Sequence, residues 1–380
     1  MTSPHLCMVA LTAYPVLAGR RDLRELGGAQ VQQVMIARAL VRAGARVTFI
    51  CMDYGQPQEE WIDGIRVLRC FAPDAGLRGL RFFHPRWTRL RAALRRADAP
   101  IYYQRCAGMT TGLVAHWCRQ TSRSFVYAGA SDLDFQPGPP NVRGRRDRWL
   151  FERGLRAADA IVVQNPRQLS ALREQHGREG VLIPSCYAPA GSPAPGNDRR
   201  EVLWVGMIRR VKRPDRFLAL ARAMPQQRFR MIGGPMGESE EVLSYYREIE
   251  AAARTLPNLD FMGFVPFAGI DAWFDRAAVL VNTSDHEGFP NTFLQAWSRG
   301  VPSLALFDTG SRCGGVPPYA LARDDADLLA QLRELLAAPV RRQALGELGR
   351  RFFEDNHAPA IVAQRYLALM SELELRRDRR

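Results

Sequence analysis

The stretch from Ala278 to Trp297 constrains the fold more than any other part of this sequence. It opens with an apolar run that ends at Thr283, and such a run is typical of a strand buried in a parallel sheet. A turn with Gly288 and Pro290 follows, and the residues after it are compatible with a helix. A strand that passes through a tight turn into a helix is the repeating unit of doubly wound α/β folds, which bind their ligands at such turns.

The turn itself contains the first candidate site. Glu287 lies in it, beside the backbone N–H groups of Gly288 and Phe289, and Thr292 begins the first predicted helical turn. The N-terminus of a helix combines a partial positive charge with unpaired N–H groups, and both attract anions. A carboxylate next to such donors predicts a polyhydroxylated, anionic ligand such as a sugar phosphate.

The same alternation of short apolar runs and helical segments extends over most of the 380 residues. The other predicted strands are Leu6 to Ala13, Arg46 to Asp53, Ile65 to Phe71, Ile101 to Arg105, Phe125 to Ala130, Ala160 to Gln164, Val181 to Pro184, Glu201 to Gly206, Phe229 to Gly234 and Leu259 to Val265. Alternating strands and helices predict an α/β architecture with parallel sheets, and the length suits two domains.

The region from Cys186 to Asp198 is rich in Pro, Gly and small residues, which is typical of an interdomain linker. We therefore predict an N-terminal domain over 1–185, a linker over 186–200 and a C-terminal domain over 201–357. The last segment, 358–380, contains a predicted helix from Ala358 to Leu375.

The composition narrows the class of protein. No apolar run approaches the roughly 20 residues that a membrane-spanning helix needs, and the first residues lack the pattern of a signal peptide. The seven cysteines are scattered and include no Cys-x-x-Cys, which indicates free thiols in a reducing compartment. We therefore expect a cytoplasmic protein, with no disulfide framework and no zinc site.

The net charge of +14 comes from arginines that concentrate in two segments, 78–96 and 143–156. Both segments interleave arginine with aromatic and aliphatic residues, and they predict basic amphipathic helices that suit an anionic membrane surface. The expectation is peripheral binding to the inner face of the cytoplasmic membrane. Solvated helix faces would give the same pattern. No helix-turn-helix, zinc-finger or RNP motif supports nucleic acid as the partner.

Gly27 and Gly28 follow the first strand and open a predicted helix, an arrangement that can hold a phosphate. Asp53 ends the second strand, at about the distance where a dehydrogenase holds the ribose of its cofactor. A dehydrogenase would need the Gly-x-Gly-x-x-Gly fingerprint, which is missing here, so a dinucleotide cofactor is disfavoured.

A basic loop from Met207 to Pro214 forms the second candidate site. It places four cations, Arg209, Arg210, Lys212 and Arg213, just before a helix that begins at Pro214. Cations at a helix N-terminus oppose the helix dipole, so this arrangement predicts an anion bound between them. A solvated basic loop is the alternative.

Ser131-Asp132-Leu133-Asp134 follows a predicted strand. Asp-x-Asp can chelate a metal–nucleotide, but two Rossmann-like domains normally bind their anions through helix dipoles and basic side chains. We therefore predict no metal at Asp132.

Glu287-Gly-Phe-Pro-Asn-x-Phe-Leu-x-Ala296 resembles the C-terminal signature of retaining family-4 glycosyltransferases (glycosyl transferases group 1). The loop from Gly206 to Lys212 resembles the Gly-x-x-x-x-x-Lys loop of the same family. This resemblance implies the GT-B fold, in which two Rossmann-like domains face each other across a cleft and a C-terminal helix returns to the N-terminal domain. It also implies transfer of a sugar from a UDP- or GDP-linked donor to a saccharide or polyprenyl-linked acceptor, as in bacterial polysaccharide synthesis.

The resemblance assigns roles residue by residue. Lys212 would bind the donor diphosphate, together with Arg209, which would replace the arginine usually placed after the glycine. Glu287 would position the sugar. Asp132 would contact the donor or acceptor sugar. The implied donor-binding residues are Gly27, Gly28, Gly206, Gly234, Phe264, Val265, Gly288, Phe289, Pro290, Asn291 and Gln295. Ordinary core packing fits Phe264 and Val265 equally well.

Three positions depart from the family pattern. Met207 replaces the usual arginine, Ser131 replaces a histidine, and Gln295 replaces a second glutamate that typically holds the ribose. These departures leave open a catalytically decayed scaffold that still binds nucleotide. A nucleotide-sugar epimerase of the same fold, which would need no acceptor, is a further alternative. With no obvious protein nucleophile, a retaining transfer would proceed by front-face attack.

Overall fold

The computed structural model describes residues 3–20, 27–77, 79–139, 142, 144–191, 199–266 and 269–379. Arg78 and Arg143 of the two basic segments, and 192–198 of the predicted linker, lie outside these ranges. The chain divides into two compact units. Unit 1 comprises Met1–Cys186 and Pro359–Arg380, and unit 2 comprises Tyr187–Ala358.

Unit 1 is built on one twisted sheet. Its strands are β1 (His5–Val9), β2 (Arg46–Cys51), β3 (Glu59–Ile62), β4 (Ile65–Arg69), β5 (Ile101–Arg105), β6 (Ser124–Ala128), β7 (Ala160–Val163) and β8 (Val181–Leu182). Their order is β3-β4-β2-β1-β5-β6-β7-β8. Pairing is parallel except between β3 and β4, which are antiparallel. The sequence prediction missed β3, because this short edge strand is half exposed and lacks an apolar run.

Helices cover this sheet. They are α1 (Tyr14–Leu17), α2 (Gly28–Arg42), α3 (Thr88–Ala97), α4 (Met109–Gln120), α5 (Arg145–Ala157) and α6 (Pro166–His176). The two predicted basic helices are confirmed as α3 and α5, and an irregular helical turn, Phe82–Trp87, precedes α3. Leu90 and Leu94 of α3 and Phe151 of α5 point into the core, which leaves the arginines of both helices at the surface.

Unit 2 has the strand order typical of dinucleotide-binding folds. Its strands are β9 (Glu201–Val205), β10 (Phe229–Ile232), β11 (Leu259–Phe261), β12 (Ala277–Asn282), β13 (Ser303–Ala305) and β14 (Ala320–Leu321). They are parallel in the order β11-β10-β9-β12-β13-β14. The order reverses between β9 and β12, and the carboxyl ends of these two strands therefore flank the crevice where such sheets bind ligands.

The helices of unit 2 are α7 (Pro214–Ala223), α8 (Glu240–Arg254), α9 (Asp271–Arg276), α10 (Asn291–Trp297), α11 (Asp325–Ala337) and α12 (Pro339–Asn356). The last helix, α13 (Pro359–Asp378), belongs to unit 1 and packs against α2. Its Tyr366 ring also lies 6.1 Å from the ring of Tyr103 on β5. The predicted architecture is thus confirmed: two α/β domains with parallel sheets, and a C-terminal helix that returns to the first domain.

All seven cysteine thiols are free. Within the ranges given above, no helix is both long enough and apolar enough to cross a bilayer.

Candidate functional site

The basic loop and the Glu287 turn meet at the reversal point of the unit 2 sheet. Gly206 follows β9 directly, and its N–H donates to the carbonyl of Ile232 over 3.0 Å. The chain then forms a short 3-10 turn, Arg210–Lys212, and enters α7 at Pro214. Glu287 follows β12, so the two segments identified separately in the sequence lie at the carboxyl ends of neighbouring strands.

Glycines allow the loops at this edge to approach each other closely. A Cβ at Gly233 would lie 1.9 Å from the carbonyl oxygen of Gly206, and one at Gly234 would lie 3.0 Å from the Cβ of Phe264. Gly233 also donates its N–H to the carbonyl of Gly263 over 2.9 Å. The backbones of the loops after β9, β10 and β11 therefore lie close together at this edge.

Lys212 and Glu287 form the centre of the candidate site. The Lys212 ammonium contacts Oε1 of Glu287, and the two side chains are 25% and 11% exposed. The same oxygen accepts a hydrogen bond from the Ser284 hydroxyl at 2.8 Å and a longer one from the Asn282 amide at 3.4 Å. Three groups therefore fix one carboxylate oxygen, and the orientation of Glu287 is set by residues at the end of β12.

A second set of contacts fixes the backbone of the basic loop. The Thr283 hydroxyl donates to the carbonyl of Lys212 over 2.8 Å and accepts from the indole N–H of Trp204 over 2.9 Å. The N–H of Asp285 donates to the carbonyl of Val211 over 2.9 Å. Sequence reasoning missed Trp204 and Thr283 as supporting residues, because their partners lie far away along the chain. It also missed Ser284, whose partner Glu287 is only three residues away.

The charges of the basic loop are more fully compensated than the sequence predicted. Arg213 pairs with Asp215 at 2.8 Å and with Asp285 at 3.4 Å, and the guanidinium of Arg210 lies 4.5 Å from the centroid of the Tyr245 ring. Two carboxylates therefore compensate the charge of Arg213, whereas Arg210 has an aromatic neighbour and no ion pair among the described residues. Arg209 is exposed, and the described residues include no ion pair for it.

The turn after Glu287 packs partly into the interior of unit 2. The ring of Phe289 lies 4.9 Å from that of His357 and 6.0 Å from that of Trp297. Pro290 is buried, while Gly288 and Asn291 are half-buried. Phe289 is consequently a packing residue of this turn, and its side chain anchors the segment that presents Glu287.

Three other implied donor-binding positions, Gln295, Phe264 and Val265, differ in exposure. Gln295 is only 4% exposed, and its side chain hydrogen-bonds with the hydroxyl of Tyr187. Phe264 is 42% exposed and Val265 is half-buried, so ordinary core packing, the alternative that the sequence left open, is wrong for Phe264.

The predicted residues of unit 1 occupy the carboxyl edge of its own sheet. Helix α2 begins at Gly28, with Gly27 in extended conformation as its N-cap. Asp132 begins a 3-10 turn after β6, and its Oδ1 accepts hydrogen bonds from the amides of Gln168 at 3.0 Å and Asn165 at 3.2 Å. Two amides from the start of α6 therefore hold one oxygen of this carboxylate.

Asp134 plays a different part from Asp132. It is 2% exposed, its Oδ2 accepts from the N–H of Ala130 at 2.7 Å, and it forms a capping box with Ser131. Burial raises the pKa of Asp134, an effect that these N–H donors oppose. The Asp-x-Asp pattern therefore does not present two free carboxylates. In the part of the chain that the structure describes, no cluster of three or more His, Cys, Asp or Glu side chains is arranged for a metal ion.

Two family profiles match this chain in succession. Residues 27–186 match the family described as glycosyl transferase 4-like domain, and residues 199–338 match the family described as glycosyl transferases group 1. A curated relative, the lipopolysaccharide 1,6-galactosyltransferase of Salmonella typhimurium, is 28% identical over 164 residues. This match covers 41% of the chain and only 39% of the relative, which is less than half of the relative's length.

Solved structures resemble the chain over almost its whole length. The sucrose-phosphate synthase of Thermosynechococcus elongatus aligns with a TM-score of 0.76 and 19% identity, over 98% of this chain and 100% of the other. The Anabaena protein HepE, solved in complex with UDP and glucose, aligns with a TM-score of 0.71 and 14% identity, over 97% and 100%. At these identities the likeness shows a shared fold.

Proposed function

We propose that this chain, which belongs to the group 1 glycosyltransferases of the GT-B fold, transfers a sugar from a nucleotide diphosphate sugar to a saccharide or lipid-linked saccharide acceptor, with retention of anomeric configuration. The observation that carries the proposal is the contact between Lys212 and Glu287 at the reversal point of the unit 2 sheet. A cation for the diphosphate and a carboxylate for sugar hydroxyls lie side by side there.

Lys212 is suited to bind the leaving diphosphate. An ammonium has three hydrogen-bond donors, and the contact with Glu287 uses one of them. The other two can reach phosphate oxygens, and exposed Arg209 adds a second cation. Both charges are present before the reaction, so they stabilise the negative charge that develops on the diphosphate without reorganisation at that moment.

Glu287 is suited to orient the donor sugar. Its Oε1 is held by Lys212, Ser284 and Asn282, and a carboxylate has about four acceptor positions on its two oxygens. The remaining positions can accept hydrogen bonds from sugar hydroxyls. We assign it a positioning role, with the acceptor hydroxyl attacking from the same face as the leaving diphosphate, and we assign charge stabilisation to Lys212 and Arg209 in place of a metal.

The relatives support the choice of substrates. HepE is described in complex with UDP and glucose, and the Salmonella relative is a lipopolysaccharide galactosyltransferase. A UDP-linked donor and an acceptor from bacterial polysaccharide synthesis follow as the first pair to test, and a GDP-linked donor as the second. We propose that the reaction uses no cofactor, since the nucleotide diphosphate sugar is itself a substrate. We place it in the cytoplasm, where nucleotide sugars are made.

A thermal-shift screen with UDP, GDP, ADP and their sugars tests the donor site. At a ligand concentration of 100 times Kd, a nucleotide that binds only the folded protein stabilises it by about 2.7 kcal/mol. We expect one diphosphate to raise Tm and Lys212→Ala to lose that response. NMR analysis of the product then determines the anomeric configuration of the transferred sugar. If no nucleotide or nucleotide sugar raises Tm, the proposal is contradicted.

Asp132 gives a prediction in unit 1. Asp132→Asn should lower kcat about 100-fold, an effect of the size seen for a single catalytic group, without a change in Tm. The asparagine oxygen can still accept from Gln168 and Asn165, so the substitution removes charge and keeps the local hydrogen bonds. Steady-state kinetics at saturating donor, with the acceptor varied, provide the measurement. Unchanged kcat and KM would remove Asp132 from the catalytic set.

One observation favours a second candidate, a nucleotide-binding scaffold without turnover. Gln295 replaces a charged residue with a neutral amide and is buried against Tyr187. A neutral acceptor binds a hydroxyl less strongly than a carboxylate does. A scaffold of this kind would show a Tm response to nucleotide but form no product with any acceptor. The product analysis that follows the thermal-shift screen distinguishes this outcome from transfer.

A further inference from the structure

Unit 1 exposes four large apolar side chains within or directly beside the two basic segments. Leu77, Leu80, Phe83 and Trp149 are 76%, 64%, 63% and 57% exposed. Single exposed apolar residues are ordinary, but a group of them on a monomer marks an interaction site. We call the surface formed by Leu77, Leu80, Phe83 and Trp149, with the arginines around them, the basic–apolar surface.

A chain of ring contacts joins the two segments. The guanidinium of Arg146, in α5, lies 4.3 Å from the centroid of Phe82, and Phe82 packs edge-on against Phe83 at 5.1 Å. Trp149 follows Arg146 by three positions, so both lie on the same face of α5. Arg153 covers the Trp149 ring at 5.4 Å. The segment before α3 and the exposed face of α5 therefore form one continuous surface.

Most arginines of this surface have no carboxylate partner among the described residues. Arg146 pairs with Asp147 at 2.7 Å. The described residues include no ion pair for the others, which are Arg81, Arg86, Arg89, Arg145, Arg148 and Arg153. Burial lowers the pKa of the Arg86 guanidinium, and repulsion from Arg81 and Arg146 lowers it further. The crowding of like charges without counter-ions indicates a partner that supplies negative charge.

We propose that the basic–apolar surface docks on a bilayer that contains anionic lipid, with Leu77, Leu80, Phe83 and Trp149 entering the headgroup region and the arginines binding lipid phosphates. Interfacial binding combines apolar burial with electrostatic attraction, and this surface offers both. Nucleic acid fits less well, because bases stack on aromatic rings and Leu77 and Leu80 offer none. The proposal is independent of the transfer reaction, since docking requires neither donor nor acceptor.

Co-sedimentation of the full chain with vesicles tests the charge. The chain should bind phosphatidylcholine vesicles that contain phosphatidylglycerol much more strongly than pure phosphatidylcholine, and salt should weaken this preference. Each arginine near the surface contributes about fivefold to partitioning, so Arg81→Gln with Arg145→Gln should reduce binding about 25-fold. The matched control removes the same charge from exposed Arg222 and Arg228 of unit 2 and should bind like the parent.

Fluorescence quenching tests the apolar contact. Brominated phosphatidylcholine, mixed with phosphatidylglycerol, quenches a tryptophan that enters the bilayer. Trp149→Phe should remove most of the quenching. Trp61→Phe should retain the quenching, because Trp61 is even more exposed than Trp149, at 66% against 57%, but lies on the edge strand β3 outside the surface. This pair of variants separates insertion at one surface from general adhesion of exposed tryptophans.

Three outcomes would overturn the proposal. The first is binding that does not depend on anionic lipid, and the second is equal loss in the Arg222/Arg228 control. The third is binding to a single-stranded RNA oligonucleotide that displaces the chain from anionic vesicles, which would assign the surface to nucleic acid. Loss of vesicle binding in the Arg81/Arg145 variant, with an unchanged Tm response to nucleotide, supports docking and separates it from the donor site.

Discussion

Lys212→Ala is expected to lower turnover with the nucleotide diphosphate sugar by about 100- to 1,000-fold, the range found when a preorganised group that stabilises developing charge is removed. The free energy of unfolding should change by less than the roughly 3–5 kcal/mol typical of a fully buried pair, because the Lys212 side chain is 25% exposed and Glu287 keeps other hydrogen bonds. Glu287 retains its bonds from Ser284 and Asn282, so its orientation should survive the substitution.

Two controls make this result specific to the charge at the sheet edge. Lys212→Arg keeps a cation and should retain part of the activity. Arg222 is an exposed residue of α7, and Arg222→Ala, which removes a cation away from the site, should retain full activity. Donor binding by Lys212→Ala should fall together with turnover. A well-folded Lys212→Ala enzyme that turns over at the parent rate would exclude the basic loop from catalysis.

The location of this site could be predicted because a parallel sheet determines it. The apolar run before Glu287 predicted a strand, and the run before Gly206 predicted another. In a doubly wound sheet both carboxyl ends lie at the ligand-binding edge. The glycines and the proline then indicated the turns and helix starts. Local pattern and fold rules together were enough to bring Lys212 and Glu287 to one edge.

The contacts that set the chemistry could not be predicted in the same way. The partners of Lys212 and Gln295, and one of the two partners of Arg213, come from segments that are distant in sequence. Periodicity predicts which face of an element is buried, but it does not identify the side chain that packs against that face. Arg213 therefore looked like an anion ligand although Asp215 and Asp285 compensate it. The edge strand β3 was missed for a related reason, since a half-exposed strand of four residues has no apolar run.

Arg299 gives the largest expected effect on stability. Its side chain is 1% exposed, and its guanidinium bonds both oxygens of Asp275 at 2.8 Å, contacts Asp271 at 3.1 Å and donates to the carbonyl of Ala190 at 2.6 Å. Asp271 also accepts from the hydroxyl of Tyr187 and, over 2.7 Å, from the N–H of Ala190. One arginine thus neutralises two carboxylates and attaches the start of the predicted linker to unit 2.

Arg299→Met should destabilise unit 2 by about 3–5 kcal/mol, because it leaves two largely buried carboxylates without a cation while conserving most of the side-chain volume. Urea unfolding, followed by tryptophan fluorescence, measures the change. Arg350→Met is the matched control, since its ion pair with Glu354 is more than half exposed and should contribute under about 0.5 kcal/mol. If both variants unfold at the parent midpoint, the Arg299 cluster does not stabilise the unit. A large loss confined to Arg299→Met would mean that this buried cluster, which includes the carbonyl of Ala190, stabilises unit 2.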